Sequence, residues 1–163
     1  MLSAKMQEAL NKQLNAELYS SYLYLSMSAY FESINLRGFA HWMRVQSAEE
    51  YGHGMKFFDQ VNERGGRVMV MPIEAPASGW NSPLAVFEEV YRHEQKVTEL
   101  INGLVNLAGA ERDHATINFL QWFVKEQVEE EQQANEIVQK LKLIGDAGPA
   151  LLMLNYGLGK RGK

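Results

Sequence analysis

The chain of 163 residues contains no cysteine. That absence removes disulfides, thiolate metal sites and thiol catalysis together, and it fits a reducing compartment. No apolar run approaches the roughly 20 residues that span a bilayer. The first residues, Met-Leu-Ser-Ala-Lys, lack the charged and then apolar stretches of a signal peptide. A cytoplasmic protein with no membrane partner is expected. An excess of positive charge is missing as well. The net charge is −4, and the basic tail Lys160-Arg161-Gly162-Lys163 reads as a solvated, frayed terminus, so no nucleic-acid partner is expected. Proline is scarce, and three of the four fall between residues 72 and 83.

What is present is helical periodicity. Ser3 is placed to cap a first helix running to about residue 31, with the inward stripe Leu10, Leu14, Glu17, Ser21 and Tyr24 at steps of three and four. Asn35 and Gly38 mark a short turn. A second helix follows from about residue 36 to 64, striped by Phe39, Met43, Gln46, Glu50, His53, Phe57 and Val61, and is stopped by Gly65-Gly66. Pro72, Pro76 and Gly79 then exclude a helix, and Val68 to Met71 alternate as an extended run would. An extended linker of this length can travel the whole second helix, roughly 40 Å at 1.5 Å per residue, and start the next helix parallel to it. Ser82-Pro83 opens a third helix with the stripe Phe87, Val90, Glu94, Val97, Ile101 and Leu104. Asp113 opens a fourth, striped by Leu120, Phe123, Gln127, Glu130, Ala134 and Ile137 and ended by Gly145. Residues 149–158 are apolar but too short to be stable alone, so they are expected to pack against something, such as another subunit. The chain is long enough to bury a substantial core and reads as a single domain over residues 1–163, all-α, a four-helix bundle with a long crossover between helices 2 and 3 and a short fifth helix.

Each helix carries a carboxylate where an apolar residue would cost less. A lone carboxylate in a core costs several kcal/mol unless it is paired or bound to metal. Here the positions repeat: 33 residues separate Glu17 from Glu50 and Glu94 from Gln127, and 36 separate Glu17 from His53 and Glu94 from Glu130. The midpoints fall in the two predicted turns, so each hairpin levels its own ligands across the bundle. This is two copies of one metal half-site. Four glutamates carry −4, which two divalent cations neutralise, and oxygen ligands with one imidazole suit iron or manganese, with zinc also able to bind.

With Glu17, Glu50-x-x-His53, Glu94, Gln127-x-x-Glu130, the crossover and the fifth segment, the whole chain resembles a non-haem ferritin of the prokaryotic type. The resemblance implies iron as cofactor and substrate. Glu17, Glu50 and His53 would hold one iron, and Glu50, Glu94 and Glu130 the second, with Glu50 bridging and Gln127 a weak or outer ligand. Glu49, Glu126 and Glu129, with Glu130, match a third iron site, and Tyr24 the tyrosine beside the centre. It further implies a homo-oligomeric cage of twenty-four subunits that oxidises Fe(II) with dioxygen or peroxide and stores Fe(III) mineral. Haem is not expected, because Gly52 stands where bacterioferritins carry a haem-ligating methionine and Gln127-x-x-Glu130 replaces their second Glu-x-x-His. The alternative is another di-iron carboxylate oxidase or peroxidase on the same bundle; the rubrerythrin type usually adds a cysteine-ligated iron, which this chain cannot build. His41, His93 and His114 lie off the inward stripes or near helix starts and are expected in solvated or interface positions, with Trp42, Trp80 and Trp122 in packing and Trp122 able to border the site.

Overall fold

A computed structural model describes residues 1–162. The elements in chain order are α1 (Ala4–Ser33), α2 (Arg37–Glu63), α3 (Pro83–Ala110), α4 (His114–Ile144) and α5 (Gly148–Leu158). Three starts are capped as their residue types dictate. Ser3 Oγ accepts from the Met6 N–H at 3.0 Å, Ser82 Oγ from Ala85 at 3.1 Å, and the Asp113 carboxylate from Thr116 at 3.1 Å. Hairpins α1–α2 and α3–α4 turn on non-glycine residues in the left-handed region, Asn35 (φ 61°) and Arg112 (φ 56°).

The start of α2 has no local cap, because Leu36 precedes it. The acceptor comes from α5 instead: Asn155 Oδ1 takes the N–H groups of Gly38 and Phe39 at 2.8 and 3.1 Å. This revises one expectation. Gly38 is not a turn residue but part of the first turn of α2, and a Cβ there would lie 1.7 Å from the Asn155 carbonyl oxygen. Residues 149–158 form α5 and pack on α2 and α4 of the same chain. Leu151, Leu154 and Leu158 pack on the core while Leu152, Met153 and Tyr156 stay exposed. Gly38→Ala is expected to drive α5 off α2 and lower stability by about 2–4 kcal/mol, from overpacking plus a lost cap. Thermal unfolding, with hydrogen exchange over residues 148–158, measures it, and wild-type protection of that segment would refute the account.

Residues 64–82 form the extended crossover, and helix side chains satisfy its backbone where a sheet would otherwise be needed. Asn11 donates to the Arg67 carbonyl at 3.0 Å and accepts from the Met69 N–H at 2.9 Å, while Ser26, four turns further along α1, donates to the Ala77 carbonyl at 2.6 Å. The crossover is thus fastened along α1, which leaves α3 beside α1. Between the helices the core divides in two. One apolar cluster, with Phe31, Phe39 and Phe87, fills the end near α5, and another, with Leu10, Phe57 and Phe123, fills the opposite end. The layer between them is polar.

Candidate metal centre

That layer holds the repeated residues. Glu17 and Glu94 are 1% exposed, Glu50 3%, Gln127 4%, Glu130 5% and His53 6%, so water can neither solvate nor screen them effectively. They form two three-residue groups that share Glu50, namely Glu17, Glu50 and His53, and Glu50, Glu94 and Glu130. Within each group one potential ligand atom per residue lies within 4.8 Å of the others. α1 and α2 supply the first group, and α2, α3 and α4 the second.

Around the carboxylates stands a ring of donors. Gln13 Nε2 donates to Glu17 Oε1 at 2.8 Å, and Gln46 Nε2 to Glu50 Oε1 at 2.8 Å and Glu130 Oε2 at 2.9 Å. Gln127 Nε2 donates to Glu94 Oε2 at 3.1 Å, and the Tyr24 hydroxyl donates to the other Glu94 oxygen. His53 Nδ1 lies 3.1 Å from Glu50 Oε2. Among the described residues no buried side-chain nitrogen or oxygen lacks a partner. Gln13 and Gln46 escape a reading that looks only for ligands, yet their signal is in the chain: each precedes a site glutamate by four residues, and they repeat the interval of 33. His93, expected in a solvated or interface position, is half-buried. Its Nε2 is 2.7 Å from Ser20 Oγ, its ring lies edge-on to Tyr24 at 6.0 Å, and burial pushes its pKa down to about 4. The neutral ring therefore backs the tyrosine that faces Glu94. Trp122 borders the layer, edge-on to His53 at 5.3 Å.

Electrostatics follow from crowding like charges where water is excluded. Burial, and then the Glu50 charge, pushes Glu17 up to about 8. Burial carries Glu94 up to about 7 against the hydrogen bonds from Tyr24 and Gln127, and burial with the charge of Glu94 does the same for Glu130. Glu50, facing both, is raised well above the usual carboxylate range. The metal-free layer accordingly shares protons near neutral pH, and divalent cations would take their place.

The three outer glutamates face different partners. Glu126 is half-buried and forms a group with His53 and Glu130, its Oε1 3.9 Å from His53 Nε2. Glu129 is exposed. Glu49 turns instead to Arg161, whose Nη2 lies 2.7 Å from Glu49 Oε2. The tail is thus docked at Arg161, contrary to the expectation of a frayed end; Lys163, the last residue of that expectation, lies outside the described residues.

A four-helix bundle with buried Glu and Glu-x-x-His sites on facing helices defines the class of ferritin-like metal-carboxylate proteins. The sequence profile of the Ferritin-like domain matches residues 7–144. A bacterial non-heme ferritin of Bacteroides fragilis (strain 638R) is 50% identical over 161 residues, covering 99% of this chain and all of that protein. One from Escherichia coli O6:H1 is 39% identical, covering 97% and 96%. Among solved structures, an open-pore ferritin from the hyperthermophilic archaeon Archaeoglobus fulgidus superposes with a TM-score of 0.98 at 59% identity, covering 98% of each chain. The chain belongs to the ferritin family.

Proposed function

We propose that this protein stores iron, oxidising Fe(II) at the buried layer and depositing Fe(III) mineral inside a cage of twenty-four identical subunits in the cytoplasm. The observation that carries the reading is the pair of buried three-residue groups sharing Glu50. Fe(II) is the substrate. Glu17, Glu50 and His53 would receive one ion, and Glu50, Glu94 and Glu130 the other.

Four carboxylates balance two divalent ions, and their oxygen atoms favour the more highly charged Fe(III), which makes each ion a better reductant. Together two Fe(II) supply two electrons to one dioxygen or peroxide. The chain's own contribution is positioning. Gln13, Gln46 and Gln127 orient the carboxylates through fixed amide donors, and Tyr24 holds its proton on Glu94, its own pKa raised by burial and by the charge of that carboxylate. Oxygen ligands exchange readily enough for Fe(III) to move on. Glu49, Glu126 and Glu129, with Glu130, are proposed as a weaker outer iron site, supported by the resemblance and, for Glu126, by its proximity to His53 and Glu130.

The test is anaerobic addition of Fe(II) to the metal-free protein, then air, with size-exclusion chromatography before and after. Rapid loss of Fe(II), with ferric iron co-eluting with a particle far larger than the 18.5 kDa chain, is expected. Oxidation at the buffer rate, or iron that elutes apart from the protein, would refute the proposal.

A further inference from the structure

The C-terminal turn reaches the metal centre through one side chain. Arg161 Nη2 donates to Gln46 Oε1 at 2.8 Å and to Glu49 Oε2 at 2.7 Å, and Nη1 to the Trp42 carbonyl at 3.3 Å. The guanidinium lies 4.3 Å over the Trp42 ring, and the Arg161 carbonyl accepts from His41 Nε2 at 2.8 Å. Trp42, Gln46 and Glu49 are spaced by four and three on α2, so the arginine lies lengthwise along one stripe of that helix. Its side chain is 17% exposed. This is a docked residue, not a passing surface charge.

The consequence lies in the polarity of the Gln46 amide. Its two N–H hydrogens serve Glu50 and Glu130, which belong to different helices and to the same ligand group. They can do so only while the amide oxygen faces the other way. Gln46 is 1% exposed, so that oxygen must find its donor within the protein, and Arg161 supplies it. Without the guanidinium the buried oxygen is orphaned, or the amide turns over and points an acceptor at two carboxylates. The planar fork also reaches Glu49 from the same nitrogen, a geometry that a lysine ammonium does not reproduce while keeping the stack on Trp42.

We propose that Arg161 is a positioning residue for the metal centre: by fixing the amide orientation of Gln46 it aligns Glu50 and Glu130 for metal, which couples docking of the C-terminal turn to the bridging site. The inference rests on the proposed ligand role of Glu50 and Glu130. It makes a prediction of opposite sign to plain electrostatics, since removing a cation beside a cation site should tighten metal binding.

The test uses the assembled full-length protein and Co(II), which binds oxygen and imidazole ligands without turning over. Anaerobic titration is followed by calorimetry and by the visible Co(II) spectrum for wild type, Arg161→Gln, Arg161→Lys, Gln46→Ala and the double variant Gln46→Ala/Arg161→Gln. In wild type, two Co(II) ions per subunit are expected in the buried layer. Arg161→Gln should weaken one of the two about 10-fold or more, the range for loss of a ligand-orienting partner, and alter its spectrum. Arg161→Lys should lie between the two. In the Gln46→Ala background, Arg161→Gln should have no further effect on that ion, because the amide through which it acts is gone. Unchanged or tighter binding in Arg161→Gln overturns the proposal, as does an equal effect with and without Gln46, which would mark a merely structural tail contact. Should Arg161→Gln fail to assemble, the Gln46→Ala and Arg161→Lys proteins still decide: wild-type affinity and spectrum in both would overturn it. Wild type that binds no Co(II) in the buried layer would remove the ligand reading itself, and the inference with it, an outcome distinct from any failure confined to the variants.

Discussion

Replacing Glu50 and His53 together by alanine is expected to abolish rapid Fe(II) oxidation, lowering the initial rate more than 100-fold while leaving the helical content intact. Glu50 belongs to both three-residue groups and His53 is the only imidazole in either, so under the proposed assignment the double variant strips a ligand from each site and the bridge between them. Loss of an outer partner alone costs roughly 10- to 100-fold in metal affinity, and the proposed role of these two residues is direct ligation. The fold should survive because the metal-free layer is a liability. Glu50 faces both Glu94 and Glu130, and burial with their charges raises its pKa well above the usual carboxylate range, so the substitution removes a buried acid crowded by like groups. Removing it relieves that crowding and offsets part of the cavity left behind. Stopped-flow absorbance gives the rate and far-ultraviolet circular dichroism the fold. A wild-type rate in a folded double variant would take the oxidation site elsewhere.

The second large effect is on stability, and its sign follows from the same crowding. Glu17 titrates at about 8 in the folded chain, and Glu94 and Glu130 at about 7, against an ordinary value of 4.5. Below 4.5 both folded and unfolded states are protonated, and the full contribution is present. Between 4.5 and about 8 the unfolded chain has released protons that the folded chain still holds, so stability falls as pH rises. Above about 8 the contribution is gone. Each pKa unit is worth about 1.4 kcal/mol, but the carboxylates share protons, so the single-site shifts do not add, and the metal-free protein is expected to lose on the order of a few kcal/mol across this window. Divalent cations should reverse the slope, because they bind the deprotonated layer and displace its protons. Thermal unfolding of the chelator-treated protein at pH 5.5, 7 and 8.5, with and without Zn(II), measures both effects. A metal-free profile that rises with pH would show that the carboxylates ionise freely, contrary to their burial.

Much of this was legible in one dimension because it rests on local chemistry. Hydroxyl and carboxylate caps at Ser3, Ser82 and Asp113 set three helix starts, and prolines 72 and 76 with Gly79 barred a helix from the crossover. The three- and four-residue stripes placed Glu17, Glu50, His53, Glu94, Gln127 and Glu130 on inward faces, and the interval of 33 levelled them across each hairpin. The structure groups the glutamates and His53 accordingly. A helix has one period, so the face on which a side chain lies follows from its position alone.

What only the tertiary structure decided concerns groups whose partners are far away in the chain. The cap of α2 comes from Asn155, 117 positions beyond Gly38, and the glycine that reads locally as a turn is there because another backbone occupies the space of a side chain. The outer glutamates share similar helical phases, yet Glu126 turns to His53, Glu129 to solvent and Glu49 to Arg161. His93 lies off the inward stripe of α3, but α1 covers it, and burial rather than spacing keeps it neutral. Periodicity determines which way a residue faces on its own helix. Which neighbour waits there, and whether a charge meets metal, water or an arginine, depends on long-range packing that no local pattern encodes.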